Sequence, residues 1–142
     1  MVRKDLKYTQ EHEWVRIEAA DLSSRSACSD SGQVAVIGIT DYAQKALGDI
    51  TYVELPRVGT KLQQGKEFAV VESAKAASDV FAPASGTVAE VNGALADHPE
   101  LINQDPYGEG WLVRVTGVSA EEVASLLSPE EYERLIATEE SG

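Results

Sequence analysis

Two short runs with strand composition flank a single lysine, and this arrangement constrains the fold more than any other feature of the chain. Residues 67–72 and 77–82 are rich in valine, phenylalanine and alanine, and Lys75 lies between them. Turn-forming residues close both ends, with Gly65 before the first run and Pro-Ala-Ser-Gly at 83–86 after the second. Because such runs joined by a few small residues form hairpins, the sequence predicts a β-hairpin with Lys75 at its tip.

Short strand-like runs separated by turn residues recur along the rest of the chain. Glycines and prolines interrupt the apolar residues at short intervals. This pattern predicts a mainly β fold, in the form of a flattened barrel or sandwich of short antiparallel strands. Apart from the two runs around Lys75, the principal predicted strands lie at residues 11–18, 33–39, 51–55 and 111–116.

Helices are predicted in two parts of the chain. After the second predicted strand, Thr40 and Asp41 can cap a short helix over residues 42–47, and Gly48 can end it in a left-handed conformation. Near the C-terminus, capping boxes predict helices at about 119–138 whose apolar stripes pack on the sheets. These boxes pair Ser119 with Glu122 and Ser128 with Glu131.

Residues 48–53 and 86–91 share a spacing that suggests an internal repeat. Each segment has a glycine followed by an apolar residue two positions on and a valine five positions on. In a straight strand these two apolar side chains would lie on opposite faces of the sheet. A bulge or a core on both faces is therefore expected in each segment.

The length of 142 residues corresponds to one domain, so residues 1–142 are predicted to share a single core. Residues 19–32 are rich in serine, alanine and aspartate and poor in large apolar side chains. This composition predicts a mobile loop insertion between the first two predicted strands.

Composition excludes several classes of function. The net charge is −12, with 24 acidic and 12 basic residues, which argues against binding to nucleic acid or to an anionic membrane surface. No apolar run approaches the ~20 residues needed to cross a bilayer. Cys28 is the single cysteine, and His12 and His98 are far apart in sequence, so neither an internal disulfide nor a zinc site is predicted.

No catalytic constellation is recognisable in the sequence. Cys28 has no histidine near it, the serines lie in no nucleophile-elbow pattern, and no second histidine follows His12 and Glu13 at metal-binding spacing. The chain is therefore expected to carry a reactive group and not to be an enzyme itself. Lys75 is the natural attachment point, since its amine can be acylated on a long stem; an exposed lysine that serves only solubility is the alternative.

Residues 72–79, Glu-Ser-Ala-Lys-Ala-Ala-Ser-Asp, resemble the lipoyl-lysine hairpin of lipoyl-bearing carrier domains. Gly59 lies sixteen residues before the lysine and Gly86 eleven residues after it, as in those domains. Further motifs in the same order make the chain similar above all to the H-protein family of the glycine cleavage system. They are EHEW at 11–14, GITDYA at 38–43, LGDI at 47–50, VELP at 53–56, PELIN at 99–103 and DPYGEGW at 105–111.

The resemblance implies a non-catalytic lipoyl carrier with (R)-lipoate attached covalently to Lys75. Such a carrier takes an aminomethyl group from glycine decarboxylase, the P protein, and presents it to an aminomethyltransferase, the T protein. Dihydrolipoamide dehydrogenase, the L protein, then reoxidises the dithiol. The resemblance also implies a lipoate-attaching enzyme that recognises Glu72, and a cleft with Glu13 and Asp79 that shelters the arm from water. A monomer in the bacterial cytoplasm is expected, or in the mitochondrial matrix if a transit peptide has been removed.

Other interpretations remain open at this point. Glu72 could serve only solubility, and Glu13 and Asp79 could be solvated carboxylates at strand ends. Biotin is disfavoured as the cofactor, because alanine and not methionine flanks Lys75 on both sides. The chain could also be a paralogous lipoyl carrier in sulfur oxidation or lipoyl relay, or an interaction domain that has lost the modification.

Overall fold

A computed structural model describes residues 6–18, 33–118 and 120–141, so the predicted insertion at 19–32 and the Ser119 cap lie outside the described residues. In chain order the strands are β1 (Lys7–Tyr8), β2 (Glu13–Glu18), β3 (Gln33–Ile39), β4 (Ile50–Glu54), β5 (Lys61–Leu62), β6 (Glu67–Ser73), β7 (Ala77–Phe81), β8 (Gly86–Val91) and β9 (Val113–Val118). The helices are α1 (Asp41–Leu47), α2 (Ala94–Asp97), α3 (Leu101–Gln104), α4 (Ala120–Ala124) and α5 (Pro129–Ser141).

Two antiparallel sheets pack against each other and confirm the predicted fold class. One sheet has six strands in the order β1-β2-β3-β9-β8-β5, and the other has three in the order β4-β6-β7. Both sheets contribute apolar side chains to one core, which accounts for the short, turn-separated strands of the sequence. Its buried members include Val15, Ile37, Val113 and Val115 from the larger sheet, and Val53, Val71 and Val80 from the smaller one.

Strand β3 lies in the interior of the larger sheet and is buried on both faces, which fits its continuous run of apolar residues. Ala35 and Ile37 face the core between the sheets, whereas Val36 belongs to a second apolar cluster on the other face. Trp14 of β2 and Tyr132 of α5 are also buried in that second cluster. Helix α5 therefore covers the outer face of the larger sheet.

Local signals in the sequence account for the N-termini of α1 and α5. Thr40 caps α1, since its hydroxyl accepts the N–H of Ala43 at 3.2 Å. The predicted capping box of α5 forms, because Ser128 N–H donates to Glu131 at 2.8 Å and Glu131 N–H donates to the Ser128 hydroxyl at 3.1 Å. Glu122 of α4 accepts the backbone N–H of Ser85 at 2.7 Å and so ties α4 to the loop before β8.

Some elements depend on contacts that are remote in sequence and were not predicted. Strand β1 precedes the first predicted strand, so α1 follows the third strand of the structure; β1 exists because it pairs with β2 and bonds to Leu127. Helix α2 was also not predicted. The bulges expected in the two similar segments are confirmed, because the pairing register shifts at Ile50/Tyr52 and at Val88/Glu90.

Candidate functional site

The hairpin tip that carries Lys75 is closed by one serine. Strands β6 and β7 pair in antiparallel register up to Glu72 and Ala77. Beyond that pair, Ser73 N–H donates to the carbonyl of Ala76 at 2.7 Å. The Ser73 hydroxyl oxygen also accepts the N–H of Ala76 at 3.2 Å and that of Lys75 at 3.4 Å. Hydrogen bonds within residues 73–76 therefore hold the lysine backbone in the turn.

The Lys75 side chain is accessible from solvent. Lys75 and its neighbours Ala74 and Ala76 are all exposed. Within the part of the chain that the structure describes, the Nζ atom makes no hydrogen bond or ion pair. The stem passes beside Gly48, where a Cβ, if that residue had one, would lie 3.4 Å from Lys75 Cε. An amine presented in this way is available for acylation by another protein.

Glu13, at the start of β2, is buried although it is a carboxylic acid. Its side chain is 2% exposed, so it is not the solvated strand-end carboxylate of the alternative interpretation. One carboxyl oxygen accepts the Thr9 hydroxyl at 2.5 Å, and the other accepts the backbone N–H of Phe81 at 3.0 Å. Burial raises the pKa of Glu13 to about 7, although both hydrogen bonds act in the opposite direction.

A cleft of about 250 Å³ opens beside Glu13 at the far end of β7 from Lys75. Its walls come from the segment before β2, from the turn before β6 and from the end of β7. A carboxyl whose pKa is raised by burial inside a cleft is typical of functional sites, because catalytic and binding groups often need a pKa that differs from the usual value. The lining residues are Thr9, Glu11, Glu13, Gln64, Gly65, Phe81, Ala82 and Pro83.

Asp79 lies outside this cleft, between it and the hairpin tip. Side chains alternate along β7, so Ala77, Asp79 and Phe81 share one face, and Phe81 lines the cleft. Asp79 is exposed. The distance from Ala77 to Phe81 is about 13 Å at ~3.3 Å per strand residue. Asp79 therefore lies along β7 between the hairpin tip and the cleft, and Glu13 lines the cleft.

Glu72 is half-buried near the end of β6, three residues before Lys75. It stands in one cross-strand row with Tyr52 of β4 and Ala77 of β7. Tyr52 and Val58 are the large hydrophobic residues that are exposed in the described part of the chain. Glu72 thus lies on the outer face of the small sheet, close to the lysine and away from Glu13.

Sequence reasoning missed Thr9 and Ser73, which support Glu13 and Lys75 respectively. For Ser73 a signal existed, because serine beside a tight turn often bonds to the backbone two or three residues on. For Thr9 the sequence contained no such signal.

No group of potential metal ligands occurs in the described ranges, and none of the helices found there has the length and apolar character that a bilayer-spanning segment requires.

The chain has extensive similarity to known proteins. The family model for the glycine cleavage H-protein matches residues 6–139. The chain belongs to the glycine cleavage H-protein family. A glycine cleavage system H protein of Psychrobacter sp. is 54% identical over 132 residues, which cover 93% of this chain and 95% of the relative. The H protein of Carboxydothermus hydrogenoformans is 48% identical over 139 residues, covering 98% and 97%.

A solved structure agrees with this membership of the H-protein family. The crystal structure of a glycine cleavage system H protein from Mycobacterium marinum matches with a TM-score of 0.80 and 40% identity, over 96% of this chain and 99% of that one. The chain therefore has the lipoyl-carrier role of this family in glycine cleavage and is not itself an enzyme. The paralogous carrier of sulfur oxidation or lipoyl relay is not favoured.

Proposed function

We propose that Lys75 is the residue of this H-protein family member that carries (R)-lipoate, in amide linkage to Nζ. The supporting observation is the exposed amine at a tight turn between small residues, described above. The Nζ ammonium of Lys75 would lose one proton to become the nucleophilic amine, attack the carbonyl of an activated acyl donor with departure of its leaving group, and lose a second proton, so that the cationic amine becomes a neutral amide. When bound, the dithiolane ring of lipoate supplies a disulfide that accepts a carbon unit and two electrons.

Glu72 is proposed to be read by the lipoate-attaching enzyme. Its carboxylate lies three residues from Lys75 and on the outer face of a sheet, where a partner surface can reach both residues together. Tyr52 in the same cross-strand row offers that partner an exposed aromatic side chain.

Glu13 is proposed to receive the cationic aminomethyl cargo in the cleft beside it. A protonated amine next to a buried carboxylate forms a charge-assisted hydrogen bond and leaves neither charge buried alone. The raised pKa of Glu13, about 7, means that the empty cleft holds a carboxyl that ionises at little cost when a cation enters. Asp79, on the exposed path from the hairpin to the cleft, would guide the cargo by its charge.

The partners follow from this role. We infer that the P, T and L proteins meet the arm in turn and that the attaching enzyme meets Lys75 before them. The net charge of −12 favours partners with basic surfaces and argues against nucleic acid and anionic membranes. A cytoplasmic location is part of the proposal, since the similar proteins come from bacteria.

Intact-mass measurement tests the attachment site. Expressed in cells that lipoylate other proteins, the wild-type chain is expected to gain one lipoyl mass, and Lys75→Arg is expected to gain none. Lys45→Arg is the matched control, because Lys45 is also exposed but lies in α1 and is ion-paired to Asp41 at 3.1 Å. An unmodified wild-type chain, or a lipoyl group that persists in Lys75→Arg, would contradict the proposal.

Mixing experiments test the partners. The lipoylated chain is expected to support exchange of labelled bicarbonate into glycine when a glycine decarboxylase is added, and Lys75→Arg is expected to support none. If the lipoylated wild-type chain gave no exchange above the Lys75→Arg background, the assignment of the P protein as partner would be rejected.

A further inference from the structure

Asn103, in the short helix α3, makes three hydrogen bonds that converge behind the Lys75 hairpin. Its Nδ2 donates to Gln44 Oε1 at 2.8 Å and to the carbonyl of Gly48 at 2.9 Å. Its Oδ1 accepts the N–H of Ile50 at 2.8 Å. These bonds use both donors and one acceptor site of the amide. They fasten the end of α1 to the start of β4.

The first route from Asn103 to the lysine passes through Gly48. This residue ends α1 with φ 82° and ψ −155°, a conformation that favours glycine, and its N–H donates to Gln44 O at 2.9 Å. A Cβ at this position would lie 3.4 Å from Lys75 Cε and 3.9 Å from Nζ. Because Gly48 has no side chain, the aliphatic stem of Lys75 can lie against its backbone. Asn103 holds the carbonyl of the same residue.

The second route passes through Ile50. This residue begins β4 and pairs in register with Ser73 of β6, next to a shift in the pairing. Ser73 in turn accepts the N–H groups of Lys75 and Ala76 and so shapes the turn. Since Asn103 fixes the N–H of Ile50, it supports the backbone of the lysine as well as its stem.

Gln44 makes the support rigid. It is a buried polar residue of α1, and its Nε2 donates to Asp41 Oδ1 at 2.8 Å while its Oε1 accepts from Asn103. A buried amide whose donor and acceptor are both bonded holds one orientation. We call Gln44, Gly48 and Asn103 together the lysine seat. Asn103 lies more than fifty residues after the other two in sequence.

We propose that Asn103 is a positioning residue for the lysine arm. By holding Gly48 and Ile50, it fixes the direction in which the Lys75 side chain leaves the hairpin, and the lipoate-attaching enzyme acts on this oriented amine. The inference rests on the proposed function in one respect, namely that Lys75 is the residue that becomes acylated. The contact between the lysine stem and Gly48 does not depend on that function.

A second asparagine provides a matched control. Asn92, after β8, also donates twice through Nδ2, to the carbonyls of Glu109 and Trp111 at 2.7 and 2.8 Å. Its Oδ1 accepts the N–H of Ala94 at 3.3 Å. It has the same bonding pattern as Asn103, but among the described residues its side chain makes no hydrogen bond to α1 or to the hairpin. Its replacement by alanine removes a comparable set of hydrogen bonds without touching the lysine seat.

The contact itself is tested by nuclear magnetic resonance on the unmodified wild-type chain. A nuclear Overhauser effect is expected between the Hε protons of Lys75, assigned with Lys75→Arg, and the Hα protons of Gly48. Asn103→Ala is expected to lose this signal, and Asn92→Ala to keep it. Absence of the signal in the wild-type chain would overturn the proposal even if Asn103→Ala does not fold.

The functional consequence is tested by the kinetics of lipoylation. With a lipoate-attaching enzyme, Asn103→Ala is expected to lower kcat on the order of tenfold with little change in KM, because misplacement of a reacting group by a fraction of an ångström slows the chemical step more than it weakens binding. Asn92→Ala is expected to stay within about twofold of wild type at a matched fraction of folded protein.

These outcomes separate the two hypotheses. If the wild-type chain is lipoylated at Lys75 and Asn103→Ala reacts at the wild-type rate, the positioning role is rejected and the proposed function stands. Equal losses of kcat in Asn103→Ala and Asn92→Ala would also reject the role, because they would reflect a general loss of stability. If the wild-type chain is never lipoylated, the proposed function is rejected, and the Overhauser effect still decides the contact.

Discussion

The ionisable side chains at the two ends of strand β7 differ in their exposure to solvent. At the hairpin end, Lys75 is exposed and its backbone is held by hydrogen bonds within residues 73–76. At the other end, Glu13 is 2% exposed and receives hydrogen bonds from Thr9 and from the backbone of Phe81. The amine of Lys75 can therefore be reached by other proteins, whereas the carboxyl of Glu13 is shielded from water.

This difference matches what a carrier requires. An attachment residue must be reached by several enzymes, so support from the backbone and small neighbours is preferable to side-chain contacts that would cover it. A holding site must exclude water, and burial of a carboxyl serves that purpose at the cost of a raised pKa. About 13 Å of strand, from Ala77 to Phe81, separates the two environments.

Moving the lysine by one position should abolish attachment. In the double variant Lys75→Ala with Ala76→Lys the amine stays on the same exposed turn, but it no longer leaves the chain beside Gly48. A loss of at least about a hundredfold in the rate of lipoylation is expected, because the attaching enzyme requires the amine in one geometry. Mass spectrometry of timed reactions measures the rate. Lipoylation of this variant at the wild-type rate would show that exposure alone suffices.

The buried end should make the stability of the fold depend on pH. The pKa of Glu13 is raised from 4.5 to about 7 in the folded chain, mainly by burial. Below pH 4.5 the carboxyl is neutral in both folded and unfolded states, so its burial has no electrostatic cost; this advantage is lost as pH rises through about 7. The loss amounts to about 3 kcal/mol.

Chemical denaturation of the wild-type chain and of Glu13→Gln measures this effect. The glutamine keeps an acceptor for Phe81 N–H but cannot ionise, so the difference in unfolding free energy between the two proteins isolates Glu13 from the other carboxylates. That difference should move against the wild-type chain as pH rises from 4.5 to 7. A difference that is constant across this range would show that Glu13 ionises normally in the fold.

The same carboxyl should protect the cargo. In the aminomethyl-loaded chain, Glu13→Gln and Glu13→Ala are expected to release the cargo about tenfold faster, which corresponds to roughly 1.4 kcal/mol for one charge-assisted hydrogen bond. Lipoylation at Lys75 should be unchanged, because the two ends of β7 act separately. Protection in the wild-type chain should also weaken at acidic pH, where Glu13 becomes protonated, and this transition should lie below the pKa of about 7 of the empty cleft, because the cationic cargo favours the carboxylate. Equal release rates in all three proteins would remove Glu13 from the holding site.

The sequence predicted the exposed end of β7 well and the buried end poorly, for a physical reason. The hairpin depends on two adjacent runs and a turn, so composition alone places Lys75 at its tip. The burial of Glu13 depends on β2 approaching the end of β7, and the hydrogen bond from Phe81 joins residues 68 positions apart. A short polar-apolar alternation cannot show that both faces of β2 become covered.

Residues that act indirectly, by holding other residues in place, were the hardest to predict from the sequence. Asn103 was visible only as part of a motif that resembles the H-protein family, because its partners Gln44, Gly48 and Ile50 are remote in sequence. Asp79 was predicted with Glu13 as a residue of the cleft that holds the arm; it lies outside the cleft beside Glu13, on the β7 face that carries Phe81. The alternation along β7 that gives this position could be read from sequence, but the location of the cleft could not.

Asp79 should have the smallest effect, because it is exposed and its charge is screened. Asp79→Asn is expected to speed cargo release by about twofold to fivefold, as for a surface charge worth up to about 1 kcal/mol, and the effect should fade at high salt. Glu54→Gln is the matched control: Glu54 and Asp79 both pair with Val70, so they lie on the same sheet face, but Glu54 is on the strand away from β7. Equal acceleration of cargo release in both variants would mean that the acidic face acts as a whole and that Asp79 has no specific role. If only Asp79→Asn speeds release, the cargo travels along β7, and the contrast between the two ends of that strand describes its route.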